Sequence, residues 1–452
     1  MTDSVLAATA LDADGFAGVD HLSQPPNGLP HGRPNRLRLA LPGERVRVVP
    51  AGDFFLPAEI LAAHPGRVAA PCPHFGRCGG CDLQHAGYEL QLALKGQILR
   101  GLFASSQERQ TRAMADDIPT VLPSPRRFGY RQRLRLAING RGDLAFRGFR
   151  SHDTVVIRHC LLARPEINDV LAAVTAGKDF RAVLEVAEEV EFLLNPDQNK
   201  VDLLIRLTRP SRPANRACAR RFLETASALG RIFFYGEKFP QEPPICRDGE
   251  GNGPLSLTYP TSSTLPEGAV LRWPVGGFSQ VNIEQNHALL QLVVSWAALD
   301  SNDSVLELFC GAGNFSIPLA RRAKSLLGVE GQGAAVRQAR DNARLAGLGN
   351  CRFEKANVHD FCQALATSGE HANGERFSFV LLDPPRAGVP GLAKALRRLC
   401  GGRLLLISCD PSTLVRDLAS LCQAGFTLHA IQPIDMFPQT CHLETVALLE
   451  SR

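Results

Sequence analysis

Val305-Leu306-Glu307-Leu308-Phe309-Cys310-Gly311-Ala312-Gly313-Asn314-Phe315 reads as a strand, a glycine turn and the start of a helix. The apolar run has strand length, and the glycines allow a tight turn with close backbone approach to a ligand. Downstream, strand-like and helical stretches alternate. Strands are expected at 325–330, 351–354, 377–383 and 403–408, with helices from about 314, over 333–346 and near 391–399. That alternation specifies a parallel, doubly wound sheet, an α/β Rossmann-like domain. Two further strands, 426–434 and 444–450, close the chain.

The glycine turn narrows the cofactor. Gly311-Ala312-Gly313 does not complete a G-x-G-x-x-G dinucleotide pattern, because Ser316 takes the place of the third glycine. Glu330 ends the next strand, where a carboxylate can take ribose hydroxyls. Asn357 follows the third strand and can lie beside an adenine. Glycines and acids in this order suit a cationic sulfonium, so an S-adenosylmethionine site is expected, with an NAD site as the competing reading. Cys310 reads as packing. Asp383-Pro384-Pro385-Arg386 ends the fourth strand. Enzymes that methylate exocyclic amino groups often carry an aromatic where Arg386 stands, so another target atom is indicated.

Ser408-Cys409-Asp410-Pro411 follows the apolar run 403–407, and helical spacing resumes at Leu414, Leu418 and Leu421. Pro411 suits a first helical turn. Cys409 therefore stands at a strand-to-helix junction, on the edge where open α/β sheets bind ligands. A thiol there can be a nucleophile favoured as thiolate by the helix N-terminus, or it can fill space.

Upstream, the first 20 residues read as a flexible N-terminus and 22–36, rich in Pro, Gly and Asn, as a loop. Short strands at 37–41, 45–49 and 54–61, with a turn at Leu41-Pro42-Gly43-Glu44, indicate a small OB-like β-barrel over 21–65. Cys72, Cys78 and Cys81 follow with C-x5-C-x2-C spacing among glycines. A fourth thiolate is needed, and Cys160 is the best candidate; soft sulfur ligands allow zinc or an iron–sulfur cluster. An amphipathic helix is expected over 84–105. At 126–150, arginines interleave with aromatics around an Asn139-Gly140 hairpin turn. Alternation there places Arg131, Arg133 and Arg135 on one face, able to grip phosphate while aromatics stack bases. Strands at 188–194 and 200–207 and helical patterns at 164–177 and 215–229 make this middle region α+β. Residues 237–270 read as connections and short strands.

The 452 residues carry 13 cysteines and a formal charge of +5. The odd count argues against a disulfide framework. No apolar run reaches the length of a membrane span, and the acidic start lacks the basic region of a secretory signal, so a cytoplasmic protein without membrane association is expected.

Together these motifs resemble the RNA uracil-5-methyltransferases, most closely the 23S ribosomal RNA branch with an N-terminal TRAM barrel and an iron–sulfur cluster. The pieces that carry the likeness are the cysteine run with Cys160, Phe278-Ser279-Gln280-Val281-Asn282, ELFCGAGNF, DPPRAG, SCDPSTLVRDL and Asp435-Met436-Phe437-Pro438-Gln439-Thr440-Cys441-His442-Leu443-Glu444. The resemblance implies a [4Fe-4S] cluster on Cys72, Cys78, Cys81 and Cys160. It implies S-adenosylmethionine contacts at Gln280, Phe309, Asn314, Glu330, Asn357 and Asp383, with Cys409 as nucleophile and Glu444 as base. It further implies 23S ribosomal RNA as partner, a monomer, and a domain plan. In that plan a TRAM barrel covers 21–65 and an iron–sulfur, RNA-binding domain covers 66–83 and 118–264. A Rossmann-like methyltransferase domain covers 84–117 and 265–452. A tRNA uridine-5 methyltransferase and a non-catalytic, cluster-bearing RNA-binding protein are the alternatives.

Overall fold

A computed structural model describes residues 5–21, 36–177, 180–247, 251, 253–262, 265, 268–368 and 376–451. The expected loop at 22–36 lies, but for Arg36, outside the described residues, as do parts of 237–270. The chain divides into two compact units. One holds Met1–Ser124, Pro385–Pro390 and Ile407–Ala447; the other holds Pro125–Pro384, Gly391–Leu406 and Leu448–Arg452. Among the described residues, no helix is long and apolar enough to cross a membrane.

The first unit begins with a closed barrel of strands β1 (Val5–Leu11), β2 (Ala17–His21), β3 (Arg36–Leu37), β4 (Arg45–Ala51) and β5 (Phe54–Ala62), in the order β1-β2-β3-β5-β4. The flexible N-terminus expected over 1–20 is therefore corrected: β1 and β2 are staves of the barrel. Leu6 and Ala8 alternate inward and, past a shift in register, Leu11 is buried as well, which gives this Ala-rich segment a reason to be a strand. The strand expected at 37–41 is also shorter than read. Leu39 adopts a φ of +64°, which ends extended structure after Leu37. The turn at 41–44 is present. Gly43 has φ +85°, and the buried Glu44 carboxylate accepts the Leu41 and His64 amides and pairs with Arg67 at 2.5 Å.

Beyond the cysteine loop the first unit continues with helix α1 (Tyr88–Ala104), the short α2 (Arg109–Ala113) and a 3-10 turn at Met114–Asp117. Leu94 and Ile98 of α1 join Leu83 and Ala86 in the core cluster of the barrel. After Ser408 the same unit takes in α11 (Pro411–Gln423), β19 (Phe426–Ile434) and the start of β20 (Glu444–Ser451). Leu414, Leu418 and Leu421 are the buried stripe of α11, as their spacing predicts.

The second unit contains two sheets. One has the order β11-β10-β9-β6-β7-β8, built from β6 (Arg133–Ile138), β7 (Leu144–Arg147), β8 (Thr154–Val156), β9 (Ala187–Asn195), β10 (Lys200–Leu207) and β11 (Leu229–Tyr235). Helices α3 (Pro165–Ala176), α4 (Arg181–Leu184) and α5 (Pro213–Thr225) accompany it. A separate hairpin pairs β12 (Leu255–Tyr259) with β13 (Ala269–Trp273). The turn between β6 and β7 differs from the two-residue Asn-Gly form. It spans 139–143: the Asn139 side chain accepts the Arg141 and Asp143 amides, and the left-handed residue is Gly142, φ +76°. The arginine face is also more structural than its pattern indicates. Arg133 and Arg135 both bind Glu191, at 2.5 and 3.1 Å, and Arg133 donates to the Gly277 carbonyl.

The other sheet has five parallel strands in the order β16-β15-β14-β17-β18. They are β14 (Ser304–Leu308), β15 (Ser325–Glu330), β16 (Cys351–Lys355), β17 (Phe377–Leu382) and β18 (Cys400–Ser408). Helices α6 (Ile283–Ala297), α7 (Ser316–Ala320), α8 (Gly333–Leu345), α9 (Val358–Ser368) and α10 (Ala393–Leu399) are interspersed with these strands along the chain. The register pairs Leu306 with Leu327 on one side and Val380 on the other, all within near-continuous apolar strands. This is the doubly wound pattern expected from the alternation, and it brings the carboxyl ends of β14, β15, β16 and β17 to one edge.

Candidate active site

The glycine turn after β14 is held from three directions. Phe309 takes a left-handed φ of +62°, as do Gly311 at +55° and Gly313 at +92°. A Phe in that region is strained, and such strain persists only where surrounding bonds over-determine it. Here the Cys310 amide donates to the Val329 carbonyl, the Gly311 amide to Glu330 Oε2 at 3.2 Å, and Asn342 Nδ2 to the Ala312 carbonyl at 2.8 Å. Glu330 Oε1 also accepts the Gln332 amide. The Ala356 amide bonds the Glu330 carbonyl, placing Asn357 beside the same edge. Asn357 Oδ1 accepts the His359 and Asp360 amides, so its oxygen is committed to capping α9. Asn314 forms a two-way amide pair with Asn286, which also donates to the buried Tyr259 hydroxyl.

Two carboxyls lie beneath this edge. Glu307, within β14, is buried and receives the Ser316 hydroxyl at 2.5 Å. Burial pushes it up to about 8, and the neighbouring Asp383 carboxyl adds to the rise. Burial likewise raises Asp383 to about 7. Burial pushes the Cys310 thiol upward as well, and its side chain packs within the turn as the sequence indicated.

Phe309, Asn314, Glu330, Asn357 and Asp383 are thus gathered at the carboxyl edge of the parallel sheet. Gln280 lies on the loop before α6. There Gln132 Nε2 donates to the Gln280 carbonyl at 2.5 Å and the Gln132 amide to the Val281 carbonyl at 3.0 Å.

Cys409 and Glu444 belong to the first unit. Cys409 is half-buried between β18 and α11. Asp410 caps the helix by accepting the Thr413 amide at 2.9 Å, Pro411 opens its first turn, and Ser408 Oγ donates back to the Asp410 carbonyl. A thiolate just before the N-cap of a helix of this length sits near its partial positive charge. Glu444 is the first residue of β20 and is 3% exposed.

Cys72, Cys78 and Cys81 lie half-buried on an irregular loop of the first unit. The Cys72 amide donates to the Gln84 side chain and the Cys78 amide to the His74 carbonyl, with Gly76 at φ +85° between them. Cys160, in the second unit, is clamped by Asn168, which accepts its amide at 2.9 Å and donates to its carbonyl at 3.0 Å. Among the described residues, no three His, Cys, Asp or Glu side chains close on a single metal-ion point.

Sequence reasoning missed Glu307, Asn286, Asn342 and Gln132. The available signals were an acid inside an apolar strand for Glu307 and polar residues on helices for Asn286 and Asn342; Gln132, in an irregular stretch just before β6, carried none.

A family model for tRNA (uracil-5-)-methyltransferases matches residues 268–452. A 23S rRNA (uracil(1939)-C(5))-methyltransferase of Pseudomonas putida is 35% identical over 422 residues, covering 91% of this chain and 88% of that protein. The chain belongs to the RNA uracil-5-methyltransferase family. Another member, the Edwardsiella ictaluri 23S rRNA (uracil(1939)-C(5))-methyltransferase, is 32% identical over 462 residues, with 100% of this chain and 97% of the relative covered. The Pyrococcus abyssi tRNA (uracil-54, C5)-methyltransferase, solved with S-adenosyl-L-homocysteine, has a TM-score of 0.69 at 22% identity and covers 98% of this chain and 99% of its own.

Proposed function

We propose that the chain methylates carbon 5 of a uridine in 23S ribosomal RNA, with S-adenosylmethionine as the methyl source. The observation that carries this reading is Cys409: a half-buried thiol directly after β18 and before the N-cap of α11, in a member of the uracil-5-methyltransferase family. Carbon 5 of uracil is a weak nucleophile. Cys409 adds to carbon 6 and converts the ring to an enolate, which makes carbon 5 nucleophilic enough to take the methyl group. Glu444 then removes the carbon 5 proton, the ring double bond re-forms, and the sulfur leaves carbon 6. The target base must be splayed out of its stack to reach the thiol.

Gln280, Phe309, Asn314, Glu330, Asn357 and Asp383 hold the cofactor. The support is the clustering of five of them at the sheet edge and the two acids there, which suit a sulfonium. Cys72, Cys78, Cys81 and Cys160 hold a [4Fe-4S] cluster, supported by their soft donor chemistry and by the backbone clamps on Cys72, Cys78 and Cys160. The barrel is a TRAM domain, and the enzyme acts as a cytoplasmic monomer.

RNA carrying 5-fluorouridine tests the chemistry, because fluorine on carbon 5 cannot leave as the proton does. The expected result is a denaturation-resistant protein–RNA adduct that Cys409→Ala abolishes. No adduct with any 23S fragment overturns the proposal. For the cluster, about four iron and about four inorganic sulfide per chain are expected, the content of a [4Fe-4S] core; stoichiometric zinc overturns that assignment.

A further inference from the structure

The buried stripe of α1 includes three polar side chains, Tyr88, Gln91 and Lys95. Each reaches the stretch just before Glu444. Lys95 Nζ pairs with Asp435 Oδ1 at 2.5 Å, both side chains fully buried, and donates to the Phe437 carbonyl at 3.1 Å. The Tyr88 hydroxyl donates to Asp435 Oδ2 at 2.8 Å and accepts the Ser124 amide. Gln91 Nε2 donates to Gln439 Oε1 at 2.9 Å, and Gln91 accepts the Gln439 amide at 3.1 Å. The Gln439 carbonyl accepts the amides of Asp82 and Leu83, each at 3.0 Å. Gln439 is thus bound at amide, carbonyl and side chain while held at a left-handed φ of +72°. A non-glycine residue keeps that conformation only when its surroundings impose it.

We propose that Tyr88, Gln91 and Lys95 are positioning residues for Glu444: they fix residues 435–439 so that its carboxylate meets the carbon 5 proton. This rests on the reading of Glu444 as the base. Adding the thiolate to carbon 6 and moving the methyl group do not use Glu444; releasing the product does. The carboxylate takes the carbon 5 proton, that C–H pair forms the ring double bond, and the C6–S pair returns to sulfur. With Glu444 displaced, methylated uracil stays bound to Cys409. A protein that merely misfolds, or fails to bind RNA, accumulates no such species.

The experiment uses the full enzyme, a 23S RNA fragment with ordinary uridine, and S-adenosylmethionine labelled in its methyl group. Adduct and free methylated RNA are quantified on a denaturing gel for wild type, Glu444→Gln, Gln91→Leu, Lys95→Met and Lys95→Met/Asp435→Leu. The double variant replaces the buried pair with apolar groups of similar size, so no charge is left buried alone. Glu444→Gln is expected to accumulate labelled adduct. The α1 variants are expected to do the same, with product release slowed about ten-fold or more, and Lys95→Arg to restore release. A folded, RNA-binding double variant that turns over like wild type, or loses turnover without adduct, overturns the positioning role. Absence of adduct in Glu444→Gln as well overturns the base assignment and the proposal with it.

Discussion

A Cβ added at Gly388 would lie 2.0 Å from Asp417 Oδ2. Gly388 also has φ +70°, so the site excludes a side chain for two independent reasons. Asp417, buried on α11, accepts the Val389 amide at 2.8 Å, and Arg416 joins Asp417 to the Ala387 carbonyl. The helix that begins beside Cys409 therefore grips the turn presenting Arg386. Arg386 in turn donates to His442 Nε2 at 3.1 Å, two residues from Glu444. Gly388→Ala is expected to cost about 1–3 kcal/mol of stability and to lower kcat with little change in RNA affinity. Urea unfolding and steady-state kinetics check both.

Asp410 offers a milder test of the same helix. Asp410→Ala removes the cap and is expected to cost about 1 kcal/mol, whereas Asp410→Asn keeps an acceptor and should cost almost nothing. If the cap also orients Cys409, Ala alone slows adduct formation with 5-fluorouridine RNA. Equal rates for both variants would separate the cap from the thiol.

Glu307 and Asp383 set a pH dependence. Their folded values, about 8 and about 7, lie above the ordinary carboxyl range. A raised acid stabilises the fold at low pH, and that contribution is lost as pH rises from the unfolded value through the folded one. Stability should therefore fall between about pH 4.5 and 8, by an order-of-magnitude few kcal/mol. Glu307→Gln, which still accepts from Ser316, should flatten that decline. Melting temperatures across this range show it; parallel pH profiles for wild type and variant would refute it.

Asp202 and Arg231 form a buried pair at 2.5 Å in the sheet of the middle region, where Asp202 also accepts the Arg231 amide. Asp202→Ala strands a buried guanidinium and is expected to cost about 3–5 kcal/mol. Denaturant unfolding measures the loss, and cofactor affinity measured by calorimetry in the remaining folded enzyme should be unchanged.

Much of the parallel sheet and its edge was readable because local signals agree there. Glycines fall where φ turns positive, at Gly311 and Gly313, and Pro411 and Asp410 announce α11. Phe309 was read as a contact, but its left-handed backbone carries no signature in a residue type that normally avoids it. β1 was hidden because Ala7, Ala8 and Ala10 carry little strand preference until partner strands give the segment a buried face. Arg133 and Arg135 looked like a solvent-facing cationic row because Glu191, their counter-charge, arrives from a strand far along the chain. Lys95 and Gln91 looked like the polar side of an amphipathic helix. Only the folded chain shows that they face inward to Asp435 and Gln439.

The Lys95–Asp435 pair joins positions 340 residues apart. On a ribosome, the N-terminal part of the first unit emerges long before its partners at 407–447 exist. Its cationic helix must then wait with a buried-type lysine exposed to water. Contacts of such separation are formed late and slowly. The newborn chain consequently cannot fix the stretch ahead of Glu444 until residues 435–439 have been made. Under the proposed mechanism, release of a methylated base thus waits on the joining of residues 88–95 to 435–439.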